Sequence, residues 1–145
     1  MPERGVVDVL HVEDDPGYAL MVRKSLALAG SSRLHVVTDG REALRFLRRD
    51  GEHAGAPRPG LVILDLNLPG LHGLDVLAQI KADPGLLTIP VVILSSSTDP
   101  GDIRRGYELH ANAYIVKPAD PGRFDDAIRA IGTCFLSLTE PPPPA

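Results

Sequence analysis

The sequence predicts a doubly wound α/β fold built on a five-stranded parallel sheet. Three observations predict it. Short β-branched runs alternate with amphipathic stretches, the pattern of a parallel sheet covered by helices. The β-branched runs are apolar along most of their length, as strands buried on both faces are. Five such runs alternate strictly with five helical stretches, and right-handed crossovers then make the sheet doubly wound. The 145 residues suffice for one domain. A chain of this size buries roughly two-thirds of its unfolded surface and folds without covalent staples.

Residues 6–12 read as the first strand. Asp15-Pro16 then opens a helix, because aspartate caps well and proline is favoured in a first turn. Ala19, Val22, Leu26 and Ala29 recur at helical spacing, with Gly30 as the expected C-cap. Residues 34–37 form a shorter second strand. Asp39-Gly40 turns into a second helix with Ala43, Leu44, Phe46 and Leu47 inward. Arg41, Arg45, Arg48 and Arg49 lie on its other side, a solvated face. Residues 50–60 are a polar Gly/Pro loop. The third strand, residues 61–64, ends at Asp65, and a third helix covers residues 74–81. The fourth strand, residues 91–94, ends in Ser95-Ser96-Ser97, followed by a short helix over residues 102–109. The fifth strand, residues 113–116, ends at Lys117-Pro118. Phe124, Ala127, Ile128, Ile131 and Phe135 mark the last helix, and the prolines from Pro141 to Pro144 make a frayed, extended tail.

Composition narrows the function. The chain is 43% hydrophobic and 23% charged with a formal net charge of −4, which suits a globular domain and not a nucleic-acid-binding one. A single cysteine, Cys134, excludes an intramolecular disulfide and a four-cysteine zinc site, and it fits a reducing compartment, here the cytoplasm. No apolar run approaches the ~18 residues of a membrane span, and no apolar segment precedes the first strand as in a signal peptide. The histidines, His11, His35, His53, His72 and His110, show no metal-ligand spacing.

In open α/β sheets ligands bind outside the carboxyl ends of the strands. Here strand one ends at Glu13-Asp14-Asp15, strand three at Asp65, strand four at Ser95 and strand five at Lys117. Carboxylates brought together repel, and a hard divalent cation with oxygen ligands relieves that. A hydroxyl and an ammonium suit the peripheral oxygens of a phosphoryl group. A carboxylate nucleophile, Mg²⁺, a lysine and a hydroxyl together make an apparatus for forming an aspartyl phosphate. Asp65 stands alone at its strand end and is the candidate nucleophile. Glu13 and Asp14 suit the metal, and the Asn67 backbone carbonyl could join them.

These residues resemble a known family. Val12-Glu13-Asp14-Asp15, Asp39-Gly40-Arg-Glu-Ala-Leu44, Leu64-Asp65-Leu-Asn67-Leu-Pro69-Gly70, Pro90-Val-Val-Ile-Leu-Ser95 and Tyr114-Ile-Val-Lys117-Pro118 look like receiver domains of two-component response regulators. The resemblance runs from about Val7 to Ile131 and implies a flavodoxin-like (βα)5 fold with strand order 2-1-3-4-5. It implies that Asp65 is the phosphoacceptor, that Glu13 and Asp14 are the acidic pair, and that Asp14, Asp65 and the Asn67 carbonyl ligate Mg²⁺. It further implies that Ser95 and Lys117 contact the phosphoryl oxygens and that Tyr114 is an aromatic switch. The implied partner is a sensor histidine kinase, and the only chemistry is phosphoryl uptake and self-catalysed loss. Residues 1–138 would be the receiver and residues 139–145 the tail, with no output domain. Two departures stand out. Ser95 occupies a position where threonine is also common, and His110 one where the family usually has glycine.

The loop at residues 50–60, Leu94-Ser-Ser-Ser97, Tyr107-Glu-Leu-His110 and Phe135-Leu-Ser-Leu138 more narrowly resemble small single-domain regulators of bacterial and cyanobacterial phytochrome kinases. Two alternatives use other logic. A haloacid-dehalogenase-type phosphatase also forms an aspartyl phosphate, but its nucleophile follows the first strand in an Asp-x-Asp pattern. A phosphate-independent binding module would not need the acidic set. Near the chain end, Ile131 and Phe135 can pack on the sheet, while Cys134 and Leu136 cannot all share that face of an α-helix. Surplus apolar surface marks an interface, so a homodimer through Cys134, Phe135, Leu136 and Leu138 is expected.

Overall fold

The computed structural model describes residues 5–143, so residues 1–4 and the last two residues of the tail lie outside the described residues. The five apolar runs are β1 (Val7–Val12), β2 (Ser32–Val37), β3 (Leu61–Leu64), β4 (Val91–Ser95) and β5 (Ala113–Val116). They form one parallel sheet in the order β2-β1-β3-β4-β5. The helices are α1 (Pro16–Ala27), α2 (Gly40–Arg48), α3 (Gly73–Ala82), α4 (Pro100–Glu108) and α5 (Pro121–Gly132).

β3 and β4 are buried along their whole length, which is why both read as unbroken apolar runs. Because successive strand residues point to opposite faces, each strand feeds two cores. Leu10, Leu64 and Ile93 pack with Phe46, Leu77 and Ile80 beneath α2 and α3. Val9, Ile63 and Leu94 pack with Leu26, Phe124 and Ile128 beneath α1 and α5. The register Val12↔Leu64 brings the carboxyl ends of β1 and β3 level. Ser95↔Val116 does the same for β4 and β5.

Every helix starts on a side-chain cap: Asp15, Asp39, His72, Asp99 and Asp120 each accept from a first-turn N–H. This satisfies donors that a helix N-terminus otherwise leaves open. α3 begins so close to the end of β3 that a side chain at Gly73 would collide with the Asp65 carbonyl oxygen. On α2 the four arginines are exposed, as expected. His110 takes the left-handed backbone, φ 69°, that the usual glycine would supply.

Three expectations change. α1 ends on Leu28 in a right-handed conformation, so Gly30 is not its cap. Instead Gly30 lies against Leu136, where a Cβ would meet the Leu136 Cβ at 3.2 Å. The last helix does not stay α-helical. Thr133–Leu138 winds as a π-turn, with the Thr139 N–H donating to the Cys134 carbonyl at 2.9 Å, five residues back. The wider turn swings Leu136 inward, where only 3% of it is exposed and it packs in the α1/α5 core. Leu136 is therefore a core residue, not an interface residue, because face-counting at α-helical spacing does not hold across a π-turn. Leu138 remains 74% exposed, and Cys134 and Phe135 are half-buried. In the described part of the tail, Pro141 and Pro142 are exposed and line one cavity with Arg58, Ile89 and Pro90 at the amino rim of the sheet. Among the described residues no helix is long and apolar enough to cross a membrane.

Candidate functional site

The carboxyl rim of the sheet brings the strand-end residues together. The ladder continues one step past β1 and β3: the Glu13 N–H donates to Val37 O at 2.9 Å and the Asp65 N–H to Val12 O at 3.1 Å. These bonds pull both carboxylates into the rim, leaving Glu13 2% and Asp65 5% exposed. Asp14 points out to solvent, and Asp15 is occupied as the α1 cap. Oxygens of Glu13, Asp14 and Asp65 all lie within 4.8 Å of one another.

Lys117 enters the same space from β5. Its N–H is fixed to Ser95 O at 2.8 Å. Its Nζ donates to Glu13 Oε1 at 2.8 Å and lies 3.5 Å from Asp65 Oδ2. Ser95 is fully buried, and its Oγ accepts the Ser97 N–H at 3.2 Å. Asn67 is exposed, and its N–H donates to Asp65 Oδ1 at 3.4 Å. Tyr114 is half-buried, and its hydroxyl donates to Ser97 O at 3.0 Å. Its ring lies across Gly106, where a Cβ would meet Tyr114 Cδ2 at 3.3 Å.

The electrostatics fit a cation. One ammonium, beside Glu13 and Asp65, stands in a cluster of three carboxylates. Burial pushes the Glu13 carboxyl up to about 7; the Lys117 hydrogen bond opposes that rise and the Asp65 charge adds to it. An all-oxygen, anionic cluster short of positive charge, open on the Asp14 side, suits a hard divalent ion such as Mg²⁺.

Two residues of the rim carry no signal in the sequence. Tyr18, in the first turn of α1, lays its ring 4.0 Å from the Lys117 ammonium. His11 lies buried below the rim with Nδ1 lacking a hydrogen-bond partner. Burial pushes its imidazole down to about 3, with the Lys117 charge assisting, so it stays neutral. An alternating strand pattern could mark position 11 as inward. Nothing in it indicates what the side chain meets.

The chain is similar in sequence and fold to known proteins. The response regulator Rcp1 of Synechocystis sp. is 42% identical over 110 residues, covering 75% of each chain. A solved structure of the phosphorylated cyanobacterial phytochrome response regulator RcpA superposes with a TM-score of 0.93 at 39% identity, covering 96% of this chain and all of that one. The Mn²⁺-bound form of Rcp1 superposes with a TM-score of 0.91 at 36% identity, covering 94% and 99%. Residues 9–129 match the response regulator receiver domain, and the protein belongs to that family.

Proposed function

We propose that the protein accepts a phosphoryl group on Asp65 from a sensor histidine kinase, with Mg²⁺, and passes the signal on by protein contact. The observation that carries this reading is the buried Asp65 carboxylate, 3.5 Å from the Lys117 ammonium and grouped with Glu13 and Asp14. In the transfer, an Asp65 carboxylate oxygen forms a P–O bond as the P–N bond of a kinase phosphohistidine breaks. The imidazole leaves with the electron pair and takes a proton from water. Asp14, Asp65 and the Asn67 carbonyl, with Glu13 beside them, would hold the Mg²⁺, which would supply positive charge against the phosphoryl oxygens. Lys117 and the Ser95 hydroxyl hold the phosphoryl oxygens.

The switch follows from one shared residue. Ser97 donates its N–H to Ser95 Oγ and accepts the Tyr114 hydroxyl on its carbonyl. A Ser95 that turns toward a phosphoryl oxygen releases the Ser97 N–H, and the loop that holds Tyr114 is freed with it.

The similarity to RcpA, a phytochrome response regulator by description, supports a phytochrome-type kinase as partner, and a cytoplasmic site of action goes with that reading. A homodimer through the chain end remains part of the proposal, resting now on Leu138, Cys134 and Phe135. Light scattering showing monomer at high concentration, with and without phosphoryl group, removes it.

The test of function is acetyl phosphate with Mg²⁺. The wild-type chain gains one phosphoryl group by mass, and the Asp65→Asn variant gains none. Equal labelling of the two would overturn the assignment.

A further inference from the structure

Lys117 has three neighbours in the rim, and they differ in kind. Glu13 accepts its hydrogen bond at 2.8 Å, Asp65 faces it at 3.5 Å, and the Tyr18 ring lies 4.0 Å away, measured to the ring centroid. The residue is anchored at its backbone and at its ring. The Tyr18 N–H donates to the Asp15 cap at 3.4 Å, which fixes the first turn of α1. Below, the ring packs on Phe124 with centroids 5.3 Å apart, and Phe124 is 1% exposed. A ring seated on a buried aromatic presents its face to the ammonium.

The difference in kind matters during the reaction. When Asp65 becomes an acyl phosphate it gives up its carboxylate charge, and the ammonium must turn toward a phosphoryl oxygen. Glu13 pulls it back with a hydrogen bond. The ring attracts it through the quadrupole, without taking one of its three N–H donors. It therefore holds the nitrogen in place while leaving donors available to the phosphoryl group. We infer that Tyr18 is a positioning residue for phosphoryl acceptance, acting through Lys117. This rests on the proposed reading of Asp65 and Lys117.

The test is the rate of labelling by acetyl phosphate with Mg²⁺, read by mass. Tyr18→Leu is expected to label roughly three- to tenfold more slowly than wild type, within the range of a cation–π contact. Tyr18→Phe keeps the ring and is expected to match wild type. In a Lys117→Met background, Tyr18→Leu is expected to have no further effect, since the ring would have no ammonium to hold. A second readout needs no phosphate: ring current should shift the Lys117 ε-methylene protons upfield in wild type and Tyr18→Phe, but not in Tyr18→Leu.

The inference is overturned if Tyr18→Leu labels at the wild-type rate, if Tyr18→Phe is as slow as Tyr18→Leu, or if Tyr18→Leu slows the Lys117→Met protein too. The last outcome would mean a merely structural role, with a loosened α1. A wild-type chain that takes up no phosphate would defeat the functional reading, and this inference with it. A wild type that labels beside an equally fast Tyr18→Leu would defeat this inference alone.

Discussion

Lys117 at the carboxyl rim of the sheet and Lys81 near the amino rim are both drawn out of water, and their surroundings are opposite. Lys117 is held by carboxylates and a π-face. Lys81, in the last turn of α3, donates to Leu87 O at 2.9 Å and Ile89 O at 2.8 Å, and burial lowers its pKa. Backbone carbonyls are neutral and fixed by the chain, so Lys81 simply closes the turn into β4. Carboxylates can be protonated, bound to metal or esterified, so the balance around Lys117 can be changed from outside. The same residue type fastens one rim and makes the other adjustable.

The sharpest way to break the contrast is to remove each ammonium in turn. Lys117→Met leaves Glu13 and Asp65 buried without their cation. Without metal it should lose about 3 kcal/mol, the scale for a buried pair stripped of one partner, measured by urea unfolding. Added Mg²⁺ should recover part of that loss, because a divalent ion can stand in for the missing charge. Failure of Mg²⁺ to stabilise this variant would argue that the acidic cluster is not a metal site.

The next effect comes from His11. Its imidazole is ordinary in the unfolded chain, near 6.5, and pushed down to about 3 in the fold. As pH falls through 6.5 the unfolded state takes up the proton first, so stability present above that pH is lost on the way down. Each pH unit below it costs about 1.4 kcal/mol from this group. His11→Leu should flatten that part of the acid limb, seen as a smaller change in urea midpoint between pH 6.5 and pH 4.5 than wild type shows. An unchanged slope would place the acid sensitivity elsewhere.

The smallest effect belongs to the amino rim. Lys81→Met should cost about 1–2 kcal/mol, for two carbonyls left without donors, and leave acetyl phosphate labelling of Asp65 untouched. A change in labelling rate would show that the two rims are coupled, and the contrast drawn here would fail.

The residues that could be named from the sequence alone are those whose role is fixed by position along a strand. A strand's end is visible in one dimension, so Glu13, Asp14, Asp65, Ser95 and Lys117 could be placed on one rim before any contact was known. Tyr18 could not. It meets Lys117 across 99 positions of chain, only because α1 packs beside the segment that follows β5. Leu136 was misplaced for a different reason. Its burial depends on a change of winding, and a π-turn leaves no periodic trace of its own in the residue pattern. The cap at Asp15 was legible because capping is local; the His72 cap was not, since its acceptor nitrogen depends on a ring orientation that only packing sets.

The π-turn has a consequence for chain length. A turn closed over five residues holds one residue more than an α-helical turn, so the segment from Thr133 to Leu138 carries one residue of slack. Deleting Thr133 should let the segment wind as an α-helix while Leu136 keeps its seat against Gly30, and a melting curve of that deletion would read the slack directly. Between Asp65 and Gly73, where the Gly73 N–H already donates to Leu66 O at 3.0 Å, there is no room even for one added methyl at Gly73.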